Sequence, residues 1–428
     1  MKIVISSDIY YPMINGVAMF SRNLAMGMAK KGHNVLVLAP SINGDFKMER
    51  DREGKFRIAR LPSIKMPFYP DQINDVPEAK KFFGRQMPKL LYKNGLHVSL
   101  NPYSEIKEVL DKFKPDLIHD QTPGPVALAV YRYAKKNDIP IVATSHAYPD
   151  NISDQLPLGK IGKKAFDTVM QQYFISFLRK SAYSTMPTEL AMDDLLPKKR
   201  RHFKAPVEAI SNGVDLSKFG KKKVSGRLYR KYRVDPNKKT LLYVGRVDPE
   251  KSLNVLMEAF ARVHRNNPDT QLLIVGDGTD KSRLETDANE LGIRDSVIFA
   301  GRVIGRDLPV LYNMGDVFGI TSTTETQSIV VLEAMASGLP VIAVRAGALE
   351  ELVTTNRNGF LCEPKNVREV ASSFDFILSN PEKAREMGAE SRKIAKTHDL
   401  SHTLNRMEEI YKEVIKNHEE SLREDDED

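Results

Sequence analysis

The sequence predicts an α/β protein made of two Rossmann-like parallel-sheet domains, and three observations lead there. Short apolar runs alternate with longer amphipathic stretches from end to end, the rhythm of strand–helix units around parallel sheets. The length of 428 residues exceeds one ordinary domain, since domains run to roughly 100–200 residues. Turn residues and the run Lys221-Lys222-Lys223 punctuate residues 201–222, between two halves built alike. The expected division is a first domain over 1–205, a second over 206–395, a helix over 396–416 that crosses back to the first domain, and an acidic disordered tail over 417–428.

In the first half, Lys2 to Ser6, Asn34 to Ala39, Leu117 to His119 and Pro140 to Thr144 read as strands. Gly16 to Lys31 reads as the first helix, closed by Lys31-Gly32-His33. In the second half the strands are Thr240 to Val244, Gln271 to Val275, Ser296 to Phe299, Val317 to Ile320 and Pro340 to Val344. Near the end, Leu404, Met407, Ile410, Tyr411 and Val414 recur at helical spacing, so one face of that helix must be buried.

An apolar fraction of 41% with 28% charged residues excludes a disordered or low-complexity chain. No apolar run approaches the roughly 18 residues a bilayer-spanning helix requires, and Met1 to Asp8 turns polar too early for a secretory signal. A cytoplasmic location is expected. Cys362 is the only cysteine, which excludes an intrachain disulfide and a multi-thiolate metal site. The net charge of +8 is unevenly spread: residues 1–200 hold 30 basic and 20 acidic side chains, and the rest hold 34 and 36. A basic first half suits an anionic partner.

Familiar nucleotide motifs fail. Lys281 stands where a dinucleotide fingerprint starting at Gly276 needs its third glycine, and Glu250 replaces the second glycine of a phosphate loop starting at Gly245. No Asp-x-Asp precedes the acidic tail and no His-Glu-x-x-His occurs, so no metal is expected. What remains suits a sugar nucleotide. Thr321 to Ser328 follows a strand and precedes a helix from Ile329 to Ser337. Glu325 lies ahead of that helix and Glu333 inside it, while the free N–H groups of Ser328, Ile329 and Val330 suit phosphate oxygens. Arg246 and Lys251 supply cations for a diphosphate leaving group. Gly16 allows close backbone approach, and His146 ends a strand of the first half.

Glu325-Thr326-Gln327-Ser328-Ile329-Val330-Val331-Leu332-Glu333 and the residues through Ile342 resemble the paired-glutamate segment of the retaining GT-B glycosyltransferases of family GT4. Tyr10 to Val17, Ile210 to Asp215, Val244-Gly245-Arg246 with Glu250-Lys251, and Gly347, Glu350 and Asn358-Gly359-Phe360 extend the likeness over nearly the whole chain. The resemblance implies two domains facing a central cleft, with Glu325 on the donor sugar, Glu333 on the ribose, and Arg246 and Lys251 on the diphosphate. It places Gly301, Arg302 and Val303 by the base and His146 beside the transferred sugar. Two departures stand out: Asn15-Gly16 where many relatives have two glycines, and Gln327-Ser328 in place of Phe-Gly.

The implied reaction is sugar transfer from a nucleotide diphosphate with retention of configuration and without a cofactor. For the acceptor, the amphipathic stretch Phe166, Val169, Met170, Tyr173, Phe174, Phe177 and Leu178 is flanked by Lys160, Lys163, Lys164, Arg179 and Lys180. With the basic segments Lys80 to Lys93 and Lys198 to Arg201, it resembles that of monotopic lipid glycosyltransferases such as diacylglycerol glucosyltransferases. The plainer reading is a core helix with solvated ends. The resemblance implies UDP-glucose as donor, a membrane lipid such as 1,2-diacylglycerol as acceptor, and attachment to the anionic cytoplasmic face of the cell membrane. The alternatives are a mannosyl transfer from GDP-mannose, an acceptor that is phosphatidylinositol, a polysaccharide intermediate or a soluble sugar, and a sugar-nucleotide epimerase. No nucleic-acid recognition motif accompanies the basic residues.

Overall fold

The computed structural model describes residues 1–13, 15–65, 97–146, 159–196 and 203–427. The basic segments Lys80 to Lys93 and Lys198 to Arg201 lie outside the described residues. The chain forms two compact units, Met1–Ser211 with His402–Asp428, and Asn212–Ser401. The division thus falls at residue 211 rather than 205, because Val207–Ala209 pairs in parallel with Tyr183–Met186 and completes the first unit's sheet.

The first unit contains β1 (Lys2–Ser6), β2 (Asn34–Pro40), β3 (Lys47–Arg50), β4 (Arg57–Leu61), β5 (Ile64–Lys65), β6 (His97–Val98), β7 (Leu117–Asp120), β8 (Ile141–Thr144), β9 (Tyr183–Met186) and β10 (Val207–Ala209). Eight of these form one sheet in the order β10-β9-β8-β7-β1-β2-β4-β3, parallel except for β3. Helices cover the faces of the central strands, so Ile3, Val4 and Ile5 of β1 are all fully buried and the strand reads as a continuous apolar run. The helices are α1 (Gly16–Lys30), α2 (Tyr103–Phe113), α3 (Pro125–Lys136), α4 (Lys160–Leu178) and α5 (Glu189–Leu195). The Asn15 side chain caps α1 by accepting the Ala18 N–H at 2.9 Å.

The second unit holds β11 (Lys239–Val244), β12 (Thr270–Val275), β13 (Val297–Gly301), β14 (Val317–Ile320), β15 (Val341–Val344) and β16 (Gly359–Cys362). They form an all-parallel sheet in the order β13-β12-β11-β14-β15-β16. Strand alternation sends Leu241, Tyr243, Leu272 and Ile274 into one apolar layer and Leu242, Val244, Leu273 and Val275 into the other. Around this sheet run α6 (Gly226–Tyr232), α7 (Leu253–Asn266), α8 (Lys281–Glu290), α9 (Leu308–Leu311), α10 (Ile329–Ala336), α11 (Leu349–Leu352), α12 (Val367–Ser379) and α13 (Pro381–Thr397).

The last helix, α14 (Leu400–Glu427), returns the chain to the first unit, where Met407, Ile410, Tyr411 and Val414 join the core beside Ile3, Phe20, Leu24 and Met28. Gly27 makes room for it: a Cβ there would lie 2.5 Å from the Leu404 side chain. Tyr411 Oη lies 2.6 Å from His119 Nδ1, and His119 Nε2 lies 2.7 Å from Thr144 Oγ1, so the helix is bonded to the buried centre of the sheet. Helix α14 runs on through residues 417–427, which the sequence reading takes as a disordered tail. Extending an anchored helix needs no new nucleus, and Glu, Lys and Arg are good helix formers. The i,i+4 pair Lys416–Glu420 adds a little more. Among the described residues no helix is long and apolar enough to cross a membrane.

Candidate functional site

Glu325 lies in the loop between β14 and α10 and Glu333 inside α10, following the carboxyl end of β14, where parallel sheets characteristically present ligand-binding loops. Glu325 is held from three sides. Its carboxylate accepts a hydrogen bond from Lys251 Nζ at 2.9 Å, with both side chains largely buried. Its carbonyl accepts the Ala348 N–H at 3.1 Å. Gly347 lies against that same carbonyl at φ 49°, where a Cβ would come within 2.7 Å of the oxygen. Burial pushes the Glu325 carboxyl up, but the Lys251 charge and hydrogen bonds from Lys251 and Ser322 outweigh it and hold it below the ordinary glutamate value.

Ser328 opens α10 in the left-handed region, at φ 60° and ψ 78°, a conformation that favours glycine. By helix geometry the N–H groups of the first turn lack intrahelical acceptors, so Ser328, Ile329 and Val330 present donors and a partial positive charge. Gln327 is buried, and its Oε1 accepts the Asn212 N–H at 2.6 Å. Gln327, one of the departures from the family pattern, therefore ties Asn212 to the glutamate loop.

Lys251 closes a short 3-10 turn, Pro249–Lys251, just after β11. Arg246 also follows β11, and its guanidinium is paired with the carboxylates of both Asp248 and Glu250. Asp248 accepts the Thr279 N–H at 2.9 Å through its other oxygen, joining the loops after β11 and β12. Gly276 and Gly278 make that junction possible, since Cβ atoms there would lie 1.8 Å from the Gly245 carbonyl oxygen and 2.2 Å from that of Val247. These glycines, read in the sequence only as a failed dinucleotide fingerprint, serve loop packing.

Glu333 lies in the second turn of α10 and accepts a hydrogen bond from the buried Tyr312 hydroxyl at 2.6 Å. Burial pushes its carboxyl up to about 7, against the opposing effects of the Tyr312 hydrogen bond and the Lys218 charge. Gly301 ends β13 at φ 70°, and Arg302 and Val303 follow it, partly buried, in the same unit. Arg246, Lys251, Glu325, Ser328, Ile329, Val330, Glu333, Gly301, Arg302 and Val303 all belong to the second unit, and of these Lys251 and Glu325 are in direct contact.

Gly16 and His146 belong to the first unit. Gly16 is exposed at the first position of α1, and a Cβ there would meet nothing within 4 Å. His146 is buried after β8, with Nε2 2.9 Å from Gln121 Oε1 and its ring 4.9 Å from that of Phe20. Burial pushes its imidazole down to about 3, so it is neutral at pH 7.

Helix α4 divides into two halves. Phe174, Ile175 and Leu178 are buried with Met186, Met192 and Leu195, with Tyr173 partly buried against them, and Phe177 is buried edge-on to the rings of Tyr131 and Tyr173. Phe174 and Phe177 are therefore core residues and not membrane contacts, because the carboxyl half of the helix covers β8 and β9. Towards the amino end, Ile161 is 89% exposed and Val169 67% exposed. Lys160 and Lys164 are exposed there, with Lys163 and Phe166 partly so. Arg179 and Lys180, at the far end, lie over the rings of Phe203 and Phe177 at 5.8 Å each.

Sequence reasoning missed Tyr312, Gln327 and Asp248 as site-shaping residues. Asp248 and Glu250, two and four residues after Arg246, were a readable charge pattern. Nothing local connects Tyr312 to a glutamate 21 residues away.

A Glu–Lys pair and a helix N-terminus at the carboxyl end of a parallel sheet have the chemistry to receive an anionic, hydroxyl-bearing ligand. Residues 14–218 match Glycosyltransferase Family 4, and residues 226–394 match Glycosyl transferases group 1. The chain belongs to this GT4-type family of glycosyltransferases, with the GT-B fold. It is 27% identical to an alpha-monoglucosyldiacylglycerol synthase of Streptococcus pneumoniae over 84% of this chain and 75% of the relative. It is 28% identical to a GDP-mannose-dependent alpha-mannosyltransferase of Mycolicibacterium smegmatis, over 85% and 84% of the two chains. Among solved structures, a sucrose-phosphate synthase from Thermosynechococcus elongatus superposes with a TM-score of 0.77 at 20% identity, over 97% of this chain and 100% of that one.

Proposed function

We propose that this glycosyltransferase moves glucose from UDP-glucose to a membrane lipid such as 1,2-diacylglycerol, with retention of configuration and without a metal. The observation that carries the donor half is the Lys251–Glu325 pair beside the start of α10. In this reading Glu325 accepts hydrogen bonds from hydroxyls of the transferred sugar and Glu333 from those of the ribose. The bond from the anomeric carbon to the diphosphate breaks, and the acceptor oxygen bonds to that carbon on the same face. The departing phosphate takes the acceptor's proton. Lys251, Arg246 and the N–H groups of Ser328, Ile329 and Val330 stabilise the charge that develops on the diphosphate. Gly301, Arg302 and Val303 would flank the base. In the first unit, His146, neutral at pH 7, would serve as a hydrogen-bonding group beside the sugar.

The S. pneumoniae relative supports a diacylglycerol-derived acceptor. The amino half of α4 supports attachment to an anionic bilayer: Ile161 and Val169 project with Lys160 and Lys164 exposed beside them. Replacing Ile161 and Val169 together by Asp is expected to cut sedimentation with acidic liposomes at low salt severalfold, with an unchanged thermal unfolding midpoint. Equal binding by the variant, or equal binding of the protein to neutral liposomes, would remove the membrane reading.

The whole proposal is tested by incubating the protein with acidic liposomes containing diacylglycerol and labelled UDP-glucose or GDP-mannose, with EDTA in a parallel set. Label in the organic extract from UDP-glucose, undiminished by EDTA, is the expected result. Label from GDP-mannose alone would favour the mannosyl transfer that the M. smegmatis relative suggests. Nucleoside diphosphate released only with soluble sugars would move the acceptor into water, and an altered sugar on an intact nucleotide would mean an epimerase.

A further inference from the structure

Tyr312 is among the largest fully buried side chains of the second unit, set in the 3-10 turn Tyr312–Met314 ahead of β14. Its ring is fixed edge-on by Phe219, with centroids 5.7 Å apart at 80°, and flanked by Phe318 at 6.2 Å. With the ring so placed, its hydroxyl meets Glu333 Oε2 at 2.6 Å. A neutral donor that short to a partly buried carboxylate orients the carboxylate and occupies one of its two oxygens. Among the described residues, Lys218 is the cation whose charge acts on Glu333, and it is itself paired with Asp215 at 2.9 Å. Glu333 therefore has no full counter-charge of its own.

We infer that Tyr312 is a positioning residue for the donor's ribose: it holds Glu333 by Oε2, leaves Oε1 to accept ribose hydroxyls, and links donor binding to loss of a proton from Glu333. The inference rests on Glu333 being the ribose ligand. Hydroxyls that donate to a carboxylate favour its ionised form, so sugar-nucleotide binding expels the proton that burial otherwise retains. Since the unliganded carboxyl titrates at about 7, donor affinity is highest above that pH and falls as pH drops through it. Removing the Tyr312 hydroxyl takes away a hydrogen bond that favours the charged form, which moves the same titration to higher pH.

The experiment measures the affinity of UDP-glucose and GDP-mannose between pH 6 and 9, sugar nucleotides whose esterified phosphates do not titrate near neutrality. In Tyr312→Phe, KM for the productive donor is expected to rise roughly tenfold at pH 7 and to approach the parent value at pH 9, with kcat little changed. An equal deficit at every pH would overturn the inference and leave Tyr312 a packing residue. Glu333→Gln keeps a partner for Tyr312 and cannot ionise, so its affinity should show no change between pH 6 and 8; a parent-like pH profile would overturn the proton linkage. The 2′-deoxyribose analogue of the donor separates the underlying assignment: if Glu333→Gln still discriminates against it as the parent does, Glu333 is not the ribose ligand.

Discussion

Glu325→Ala is expected to lower kcat by at least about 10²-fold, the loss typical of removing one preorganised polar group from a charge-developing site. Lys251→Ala is expected to do the same for a different reason. Glu325→Ala removes the proposed acceptor for the sugar's hydroxyls, whereas Lys251→Ala removes one of the two cations proposed for the diphosphate and leaves Glu325 buried without its partner. Breaking a buried pair also costs stability, about 3–5 kcal/mol where burial is complete. The side chains here retain 15% and 13% exposure, so the lower end applies. Glu325→Gln separates the two effects, because the amide oxygen still accepts from Lys251. Steady-state rates alongside thermal unfolding check the prediction, and near-parent turnover in both alanine variants would defeat the donor site. Because the folded carboxyl of Glu325 lies below its ordinary value of 4.5, its stabilising contribution is present above that pH and is lost as pH falls through the folded value.

Ending the chain after Ser401 is expected to abolish folding of the first unit. Met407, Ile410 and Tyr411 are fully buried and Val414 nearly so, all against the strands and helix of that unit's core. Cutting one such side chain back to alanine costs about 2–5 kcal/mol. Losing four exceeds most of the roughly 5–15 kcal/mol that a domain has in reserve. Removing Tyr411 also strips a hydrogen-bond partner from buried His119. The check is limited proteolysis and thermal unfolding of the truncated chain. Rapid cleavage within residues 1–211 with a protected core of 212–401 is the expected pattern, and an undisturbed cooperative transition for the first unit would contradict it.

The parts of the fold visible in the sequence were those whose residue pattern follows directly from two-sided burial. β1, β2, β11, β12 and β14 are nearly continuous apolar runs because both of their faces are covered. β3 escaped because Lys47-Met48-Glu49-Arg50 lies on a sheet edge, with polar side chains throughout much of its length. β16 opens with Gly359, where a Cβ would lie 1.8 Å from the Val341 carbonyl oxygen, a requirement that only the neighbouring strand reveals. The α4 stripe was correctly seen as amphipathic, but spacing alone does not tell which turns meet the sheet. At the site, the glutamates and cations were legible because they are close in sequence to strand ends. Tyr312 and Gln327 were not, because their partners are fixed by tertiary contact.

The chain leaves the first unit at Ser211 and returns to it at His402, so the second unit is continuous and the first is not. Domains usually complete themselves from the amino end as synthesis proceeds, at about 5–20 residues per second. Here that order is inverted. All of Asn212–Ser401 can emerge and close its own sheet while the earlier half still lacks the helix that fills its core. At those rates the amino-terminal half waits on the order of ten to forty seconds, with its apolar strand faces open to a chaperone or to another nascent chain.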